Sequence, residues 1–411
     1  MPILLEEDLQ RPLPRMYRVR QQFDETRLED VAGTVRAELA KPEIRALVKP
    51  GMRIAVGVGS RGIQNLYTIV ETTVNSLKEL GAEPFIVSAM GSHGGCTEEG
   101  QREVLAGYGI TEERLGVPVV TTVDTVYLGN CANGRPVWFD RAAYEADLIV
   151  PINRVKLHTD FVGPIQSGLC KMLVIGLGNH KGCSAVHEEA PEVFADAIEE
   201  TARLILQKAP VGFGIAILEN AYDKTYAVEA VPAEHLVERE KELVQIAKGN
   251  MPYIMLDEAD VIVCGAIGKD ISGAGFDPNI LGRSSVLKQF VLHIPRYQRL
   301  VLCDVTPASH GNGIGVGLFD VITKKVAEQL DLESMYANAI ACNCLGDASV
   351  PCTVDDEETA IRVALKCCRN IDRDHPRIIR IQNTLHLGEI EVSEALLDAV
   401  RADSRMSLIE N

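Results

Sequence analysis

The sequence lacks a long apolar run and is short of positive charge. No apolar stretch approaches the ~20 residues that a membrane-spanning helix requires, so we expect no membrane segment. There are 41 basic and 58 acidic residues, which give a net charge of −17. This balance argues against nucleic acid and against anionic membrane surfaces as partners.

The spacing of the cysteines is also unlike that of a zinc protein. None of the 11 cysteines forms a CxxC pair, and Cys342/Cys344 and Cys367/Cys368 are too close together for a zinc knuckle. The first residues, MPILLEEDLQ, lack the basic and apolar regions of a signal peptide. Together these features predict a cytoplasmic protein with reduced thiols.

A chain of 411 residues is too long for one ordinary core, which favours two domains. Alternating strand and helix patterns predict an α/β fold in which each domain has a mostly parallel sheet flanked by helices. We place a cofactor-binding domain at 1–247 and a second domain at 248–411, with the last strand or helix able to pack back on the first domain. Residues 1–25 are expected to form an extended arm or an edge strand. We expect the active site in the cleft between the domains.

The first domain opens with a strand–helix–strand pattern. Strands at 53–57 and 84–90 flank an amphipathic helix at 64–80, and a third buried strand is expected at 147–152. Arg61 follows the first of these strands, and Gly91-Ser92-His93-Gly94 follows the second. Ligands bind beyond the carboxyl ends of such parallel strands, so we expect the loops to converge on one site.

The segment Pro151–Glu189 follows the third strand and is rich in glycine. Glycine raises the cost of ordering a helix or strand and is favoured where the backbone approaches a ligand. We therefore expect a loop that binds an anionic ligand, with or without a metal. The segment carries three histidines and three lysines: His158, His180, His187, Lys156, Lys171 and Lys181.

Taken in order, these residues resemble the N-terminal domain of the nickel-dependent lactate racemase family. The resemblance covers roughly the first half of the chain. The residues that carry it are Arg61, Gly91-Ser92-His93-Gly94, His158, Lys171 and His187. It implies a racemase or epimerase that transfers a hydride from a 2-hydroxy acid to a covalently held nickel pincer nucleotide.

The resemblance also implies a role for each residue. Lys171 would attach the cofactor, and His187, with His180 as the alternative, would bind nickel. His93 and His158 would be the acid/base pair, since histidine can give or take a proton near neutral pH. Arg61 would bind the substrate carboxylate. Three further residues would contact the cofactor: Gly91, Ser92 and Gly168.

The second domain departs from the family pattern. Gly268–Arg283 lacks the tyrosine-glutamine-lysine arrangement that binds substrate in the family, so Lys269 or Arg283 is expected to replace it. The substrate is accordingly expected to be a 2-hydroxy acid other than lactate. The loop His310–Gly317 is a weak nucleotide fingerprint and is equally compatible with a hinge.

Two other classes of function remain open from the sequence. The same histidines suit zinc as well as nickel, which allows a metal-dependent hydrolase or lyase, and a non-catalytic relative would bind a nucleotide or metal without turnover. The expected partners are a small anionic 2-hydroxy acid and, transiently, the enzymes that make the cofactor. A homodimer is an open alternative.

Overall fold

The computed structural model describes residues 3–410. Within that range the chain divides into a unit Glu25–Met251 and a unit formed by the residues up to Asp24 and from Pro252 onward. The sequence suggested a division at 247/248, and it did not indicate that the first 24 residues belong with the C-terminal part. No helix in the described range is long and apolar enough to cross a bilayer.

The elements alternate between strand and helix over most of the chain. The strands are β1 (Met16–Gln21), β2 (Arg53–Val58), β3 (Glu83–Ser88), β4 (Val119–Val120), β5 (Thr125–Asn130), β6 (Pro136–Asp140), β7 (Leu148–Arg154), β8 (Phe213–Glu219), β9 (Thr225–Pro232), β10 (Val261–Cys264), β11 (Arg299–Leu302), β12 (Val321–Thr323), β13 (Cys352–Val354), β14 (Ile378–Ile381), β15 (Glu389–Ser393) and β16 (Met406–Leu408). The α-helices are α1 (Glu6–Gln10), α2 (Val31–Leu39), α3 (Pro42–Arg45), α4 (Leu66–Glu79), α5 (Glu98–Gly107), α6 (Glu112–Leu115), α7 (Arg141–Tyr144), α8 (Leu169–Lys171), α9 (Asn179–His187), α10 (Phe194–Lys208), α11 (Leu236–Gly249), α12 (Pro278–Leu281), α13 (Lys324–Gln329), α14 (Leu332–Ala341), α15 (Glu357–Lys366) and α16 (Leu397–Ala402).

The unit Glu25–Met251 is built on a sheet with the order β4-β3-β2-β7-β8-β9. All neighbouring strands are parallel except β8 and β9, which are antiparallel. The chain leaves β2 toward β3 and β4 on one side and later returns to place β7 on the other side of β2. This reversal makes the carboxyl ends of β2 and β7 the topological switch point, where ligands bind in open α/β sheets.

Helix α4 shows why the strand–helix–strand pattern was readable from the sequence. Its apolar residues recur at helical spacing and pack into the core beside the sheet, and burying each large one contributes about 1.5–3 kcal/mol. Gly81, at φ +83°, follows the helix in the left-handed conformation that ends it. The apolar residues that α4 buries are Leu66, Ile69, Val70, Val74 and Leu77.

The segment that we expected to be a loop is largely helical. Helix α8 runs directly into a π-helical turn, Met172–Gly176, and α9 follows after Gly178. The loop prediction was wrong for this part, where glycines permit close packing of backbone: a Cβ at Gly176 would lie 2.8 Å from the Ala89 carbonyl oxygen and one at Gly182 3.1 Å from the Trp138 carbonyl oxygen. A π-turn inside a helix is uncommon and occurs frequently at functional sites.

The second unit has a sheet with the order β13-β12-β11-β10-β14-β15-β1-β16. Strands β13 to β14 are parallel, whereas β15, β1 and β16 pair antiparallel. The N-terminal strand is therefore not an edge strand, because β1 is hydrogen-bonded on both sides. Both units have a mostly parallel sheet flanked by helices, which confirms the predicted fold class.

Part of the second unit differs from the sequence prediction. The residue pattern over 319–330 predicts a helix, but in the structure Val321–Thr323 form β12 and only Lys324–Gln329 are helical. Three consecutive β-branched residues favour the strand, and they are buried between β11 and β13. Helix α14 and strand β5 were not anticipated.

Candidate active site

Three loops meet at the carboxyl edge of the first sheet. Strand β2 lies between β3 and β7, parallel to both, and the loops after the three strands carry Arg61, His93 and His158 respectively. Neighbouring strands are about 4.8 Å apart, so β3 and β7 are separated by about 10 Å. His93 and His158 thus lie on the two loops that flank the loop of Arg61.

Arg61 makes no hydrogen bond or ion pair within the described part of the chain. Solvent reaches its side chain, yet the surrounding protein lowers the pKa of the guanidinium through burial and through Arg154, while Tyr108 and Asp160 act in the opposite direction. A side chain that solvent reaches and that protein atoms also surround lies in a recess, and Arg61 is such a side chain. Arg154 is already paired with Glu219, so Arg61 is the arginine of this edge that remains available to an anion.

His93 is oriented by the residue that precedes Arg61. Its Nδ1 forms a short hydrogen bond with the Ser60 hydroxyl, and the Tyr108 hydroxyl donates to the Ser60 carbonyl at 2.9 Å. The contact couples the loop after β3 to the loop after β2. Ser60 therefore links His93 to the loop that carries Arg61.

His158 and Lys171 are in direct contact. Lys171 Nζ forms a short hydrogen bond with His158 Nε2, and the backbone N–H of Asp160 donates to His158 Nδ1 at 3.0 Å. A neutral imidazole carries one N–H, so an Nδ1 that accepts places the proton on Nε2. Nε2 then donates to Lys171, which requires a neutral amine with a free lone pair.

The surroundings of the pair favour the uncharged forms of both groups. Burial lowers the pKa of Lys171 to about 8, with Arg61 acting in the same direction and Asp160 and Cys183 against it. Burial also holds the pKa of His158 well below its usual value, helped by Lys171, Arg61 and His187. The Phe161 ring stacks on the His158 ring at a centroid distance of 4.3 Å and supplies part of this apolar environment.

A buried carboxyl group binds the backbone next to Lys171. Glu240 on α11 is fully buried and accepts a hydrogen bond from the backbone N–H of Cys170 at 2.8 Å. Its other oxygen, Oε1, has no hydrogen-bond partner among residues 3–410. Burial raises the pKa of Glu240 to about 7, against the lowering effect of the Cys170 and Leu169 backbone.

His187 has one ring nitrogen committed and is positioned to use the other. Its Nδ1 lies 2.7 Å from the Cys183 carbonyl oxygen, one helical turn earlier on α9, and 3.5 Å from the Cys183 sulfur. Donation from Nδ1–H to that carbonyl leaves the lone pair on Nε2, the arrangement usual for a histidine that binds a metal. The hydrogen bond with Cys183 raises the pKa of His187, more than burial lowers it.

The alternative ligand, His180, lies at the start of the same helix. It is exposed, and its Nδ1 is 3.6 Å from the sulfur of Cys96. Cys96 in turn contacts the backbone of Ser92, so His180 borders the loop after β3.

Gly91, Ser92 and Gly168 were expected to contact the cofactor. At the two glycines, the structure shows that a side chain would meet neighbouring protein atoms. A Cβ at Gly91, which has φ +59°, would lie 2.9 Å from the Ile175 carbonyl oxygen, and one at Gly168 would lie 2.5 Å from Cδ of Glu240. Both glycines thus permit close packing against protein. Ser92 is exposed, 3.9 Å from the sulfur of Cys183.

Lys269 and Arg283 belong to the second unit, where both have partners. Lys269 Nζ donates to the Gly273 carbonyl at 2.7 Å and to the Asn338 side chain. Arg283 forms an ion pair with Asp320 at 2.7 Å and donates to the Leu318 carbonyl. Their proposed role in binding substrate remains a prediction.

Four residues of the site were missed by the sequence analysis. Ser60 and Asp160 neighbour Arg61 and His158 in the chain, which was the available signal for them, and Cys183 lies one helical turn before His187. Glu240, about 70 residues after Lys171, gave no signal, because nothing in the sequence distinguishes it from the other glutamates of α11. No three His, Cys, Asp or Glu side chains within residues 3–410 are grouped so that they could hold a metal ion.

Comparison with known proteins identifies a related domain. Residues 11–196 match the family model of the lactate racemase N-terminal domain. The structure is similar to the lactate racemase apoprotein from Thermoanaerobacterium thermosaccharolyticum, with 13% identity, a TM-score of 0.53, and coverage of 89% of this chain and 93% of that one. No curated protein matches the sequence. The domain match and the racemase structure confirm the resemblance, and at this identity the structural likeness shows the fold.

A second solved structure is more distant. A protein from Thermotoga maritima is 15% identical, with a TM-score of 0.45, and the match covers 58% of this chain and 64% of that protein. The chain therefore spans less than two thirds of the length of that relative.

Proposed function

We propose, from the lactate racemase-like N-terminal domain, that the protein racemises or epimerises a 2-hydroxy acid with a nickel pincer nucleotide as its cofactor. The observation that carries the proposal is the Lys171–His158 pair beside an unpaired Arg61. It combines an amine for attachment, a base and a binder of carboxylate at one sheet edge. The free thiols of all eleven cysteines favour a reducing compartment, which we propose is the cytoplasm.

Arg61 binds the carboxylate of the substrate in this proposal. A guanidinium can donate two parallel hydrogen bonds to a carboxylate, which fixes the plane of the acid as well as its distance. Because Arg61 has no protein partner to give up, binding costs no existing ion pair. The substrate carboxylate would also replace the solvent that now reaches this side chain.

His93 and His158 exchange the hydroxyl proton from either side of Arg61. The low pKa of His158 keeps its imidazole neutral near pH 7, so it can act as a base. His158 Nε2 is engaged with the Lys171 amine, and it becomes available to substrate once that amine is attached to a cofactor and loses its basic lone pair. His93, held by Ser60, serves the opposite enantiomer.

The residues present suit the proposed cofactor. Lys171 offers a neutral amine for covalent attachment, and His187 offers Nε2 as a metal ligand. When bound, the nickel pincer nucleotide would take the α-hydrogen of the substrate as a hydride and return it to either face. We propose His187 as a ligand that adds to those of the cofactor, since the described residues form no protein metal cluster.

Intact-mass and metal analysis of protein produced with the cofactor-synthesis enzymes tests the proposal. We expect nickel, a mass increment on a peptide that contains Lys171, and interconversion of at least one pair of enantiopure 2-hydroxy acids. Stoichiometric zinc without an organic adduct would instead favour a hydrolase or lyase. An unmodified mass with no turnover would favour a non-catalytic relative.

A further inference from the structure

The amine of Lys171 has the surroundings of a nucleophile before any cofactor is attached. The Asp160 backbone occupies His158 Nδ1, so Nε2 carries the proton and donates it to Nζ. An ammonium group in the same place would face an N–H and would be repelled. The hydrogen-bond pattern therefore favours the neutral form of Lys171, with its lone pair in the site.

The groups around Lys171 come from three parts of the chain. His158 and Asp160 lie on the loop after β7, Arg61 on the loop after β2, Cys183 on α9, and the Phe161 ring is 6.0 Å from Nζ. Burial has the largest effect and lowers the pKa of Lys171 to about 8. At pH 7 this gives about 300 times more neutral amine than an ordinary lysine has.

We propose that Lys171 of the unloaded protein forms an imine with a 2-oxo acid, which Arg61 selects through its carboxylate. The choice of ligand rests on the proposed function, because a 2-oxo acid is what a 2-hydroxy acid becomes when it loses a hydride and its hydroxyl proton. The reactivity of the amine does not rest on it. The structure thus assigns Lys171 a second chemistry besides cofactor attachment.

The step is a simple condensation. The Nζ lone pair attacks the keto carbon, a C–N bond forms, and the keto oxygen takes up a proton. In total the two protons of the nitrogen pass to that oxygen, the C–O bond breaks, water leaves, and a C=N bond remains. No electrons are gained or lost overall. His158, already hydrogen-bonded to Nζ, is the group that carries protons between nitrogen and oxygen.

Arg61 makes the reaction selective for acids. Arg61 lowers the pKa of both Lys171 and His158, so it lies within electrostatic reach of the amine. A bound carboxylate would neutralise that charge and hold the adjacent keto carbon near Nζ. Simple ketones and aldehydes have no carboxylate for Arg61 to bind, so their reaction with Lys171 depends on the reactivity of the amine alone.

The imine competes with loading of the cofactor. Both need the same amine, so protein made in the presence of abundant 2-oxo acid would load more slowly. The imine hydrolyses reversibly, so it delays loading without blocking it. It would also shield the amine from other electrophiles.

Reductive trapping tests the inference on unloaded protein. The protein is incubated with pyruvate, the simplest ketone of this class, and cyanoborohydride, and its intact mass and peptides are measured. We expect one adduct per chain, located on Lys171 and absent from Lys171→Gln. Lys181→Gln is the matched control, because this exposed lysine lies on α9 with its amine over the Trp138 ring, and its labelling should equal wild type.

Two further measurements separate a specific site from general lysine reactivity. The labelling rate of wild type should rise with pH around a midpoint near 8, as the lowered pKa of Lys171 requires. In Arg61→Gln the ratio of pyruvate to propanal labelling should fall about 10-fold or more. The ratio corrects for any general change in the reactivity of the amine.

The inference is overturned if labelling is spread over surface lysines or persists in Lys171→Gln. An unchanged pyruvate-to-propanal ratio in Arg61→Gln overturns the role of Arg61. The trapping uses neither cofactor nor racemisation, so its failure is distinct from failure of the proposed function. The latter would appear as loaded protein that does not interconvert enantiomers.

Discussion

At the residue scale, Arg61 differs from Arg135 and Arg154 because its side chain has no partner among residues 3–410. Arg135 is buried and paired with Glu189 and Glu200, and Arg154 is paired with Glu219. Those two arginines stabilise the packing of the elements that they join. Arg61 has no such structural role to explain it, and this makes it the best single candidate for recognition of an anion.

Replacing Arg61 by Gln should weaken catalysis mainly through substrate binding. Losing a charge-assisted pair costs about 10- to 100-fold, which we expect in kcat/KM of the loaded enzyme with little change in thermal stability. Steady-state kinetics measures the effect. Arg141→Gln, an exposed arginine near Glu145, should leave the kinetics unchanged, and an equal loss in both variants would contradict the assignment.

Replacing either of the proposed acid/base histidines should greatly slow racemisation without removing the cofactor. We expect a loss of about 100- to 10,000-fold for His93→Ala or His158→Ala, the range for general acid–base catalysis. His187→Ala should instead lose metal, as measured by elemental analysis. His235→Ala is the matched control, since this histidine is exposed. Full activity of the His93 variant would refute its role.

The positions of these residues could be predicted because each follows a recognisable strand. Arg61, His93 and His158 needed only the rule that parallel strands present their carboxyl ends at one edge. The contact of Lys171 with His158 and the position of Glu240 could not be predicted. Both depend on how α8 and α11 pack, which a local pattern of residues does not encode.

At the scale of elements, the helical stretch from α8 to α9 matters most for the site. It carries Lys171 at one end and His187 at the other, so one element positions the amine and the proposed metal ligand. The sequence predicted a loop here, and the structure shows helix over residues 169–176 and 179–187. The glycines of this stretch let backbone pack on backbone, as Gly176 does against Ala89 and Gly182 against Trp138.

Glu240 beneath α8 should make stability depend on pH in an unusual direction. Its pKa rises from 4.5 in the unfolded chain to about 7 when folded, so the folded state binds more protons between these values. Stability from this group therefore falls as pH rises from about 4.5 to 7. Glu240→Gln removes the ionisation. Its free energy of unfolding relative to wild type should therefore increase by about 2–3 kcal/mol from pH 5 to pH 8.

Denaturant unfolding at the two pH values measures the change for wild type and variant. Glu234→Gln, at a side chain that is 78% exposed, is the control and should differ by less than about 0.5 kcal/mol at either pH. If the free energy of unfolding of Glu240→Gln changed with pH as that of wild type does, the raised pKa of the buried Glu240 carboxyl would be contradicted.

At the scale of the whole molecule, the fold class followed from the alternation of strands and helices, but the pairing of distant segments did not. Residues 1–25 looked like an arm because their sequence is polar and rich in proline. Val19 lies fully buried between Ile390 and Leu408, partners that are almost 400 residues away. A sequence read locally contains no signal for such a pairing.

Val19→Asp should destabilise the sheet that β1 completes, because it buries an unpaired carboxylate. We expect a loss of about 3 kcal/mol or more and faster hydrogen exchange in β15 and β16. Arg20→Gln, an outward-facing change on the same strand, should have little effect. Unchanged exchange in β15 and β16 would mean that β1 does not contribute to this sheet.

The place of β1 has a consequence for the order of biosynthesis. A ribosome makes β1 well before its partner strands, since 371 residues separate Arg18 from Glu389. At about 5–20 residues per second the nascent strand waits roughly 20–70 seconds with both edges unsatisfied. Arg18 and Arg20, which later pair with Glu389, keep it charged during that interval, and charged side chains discourage strands from joining other chains.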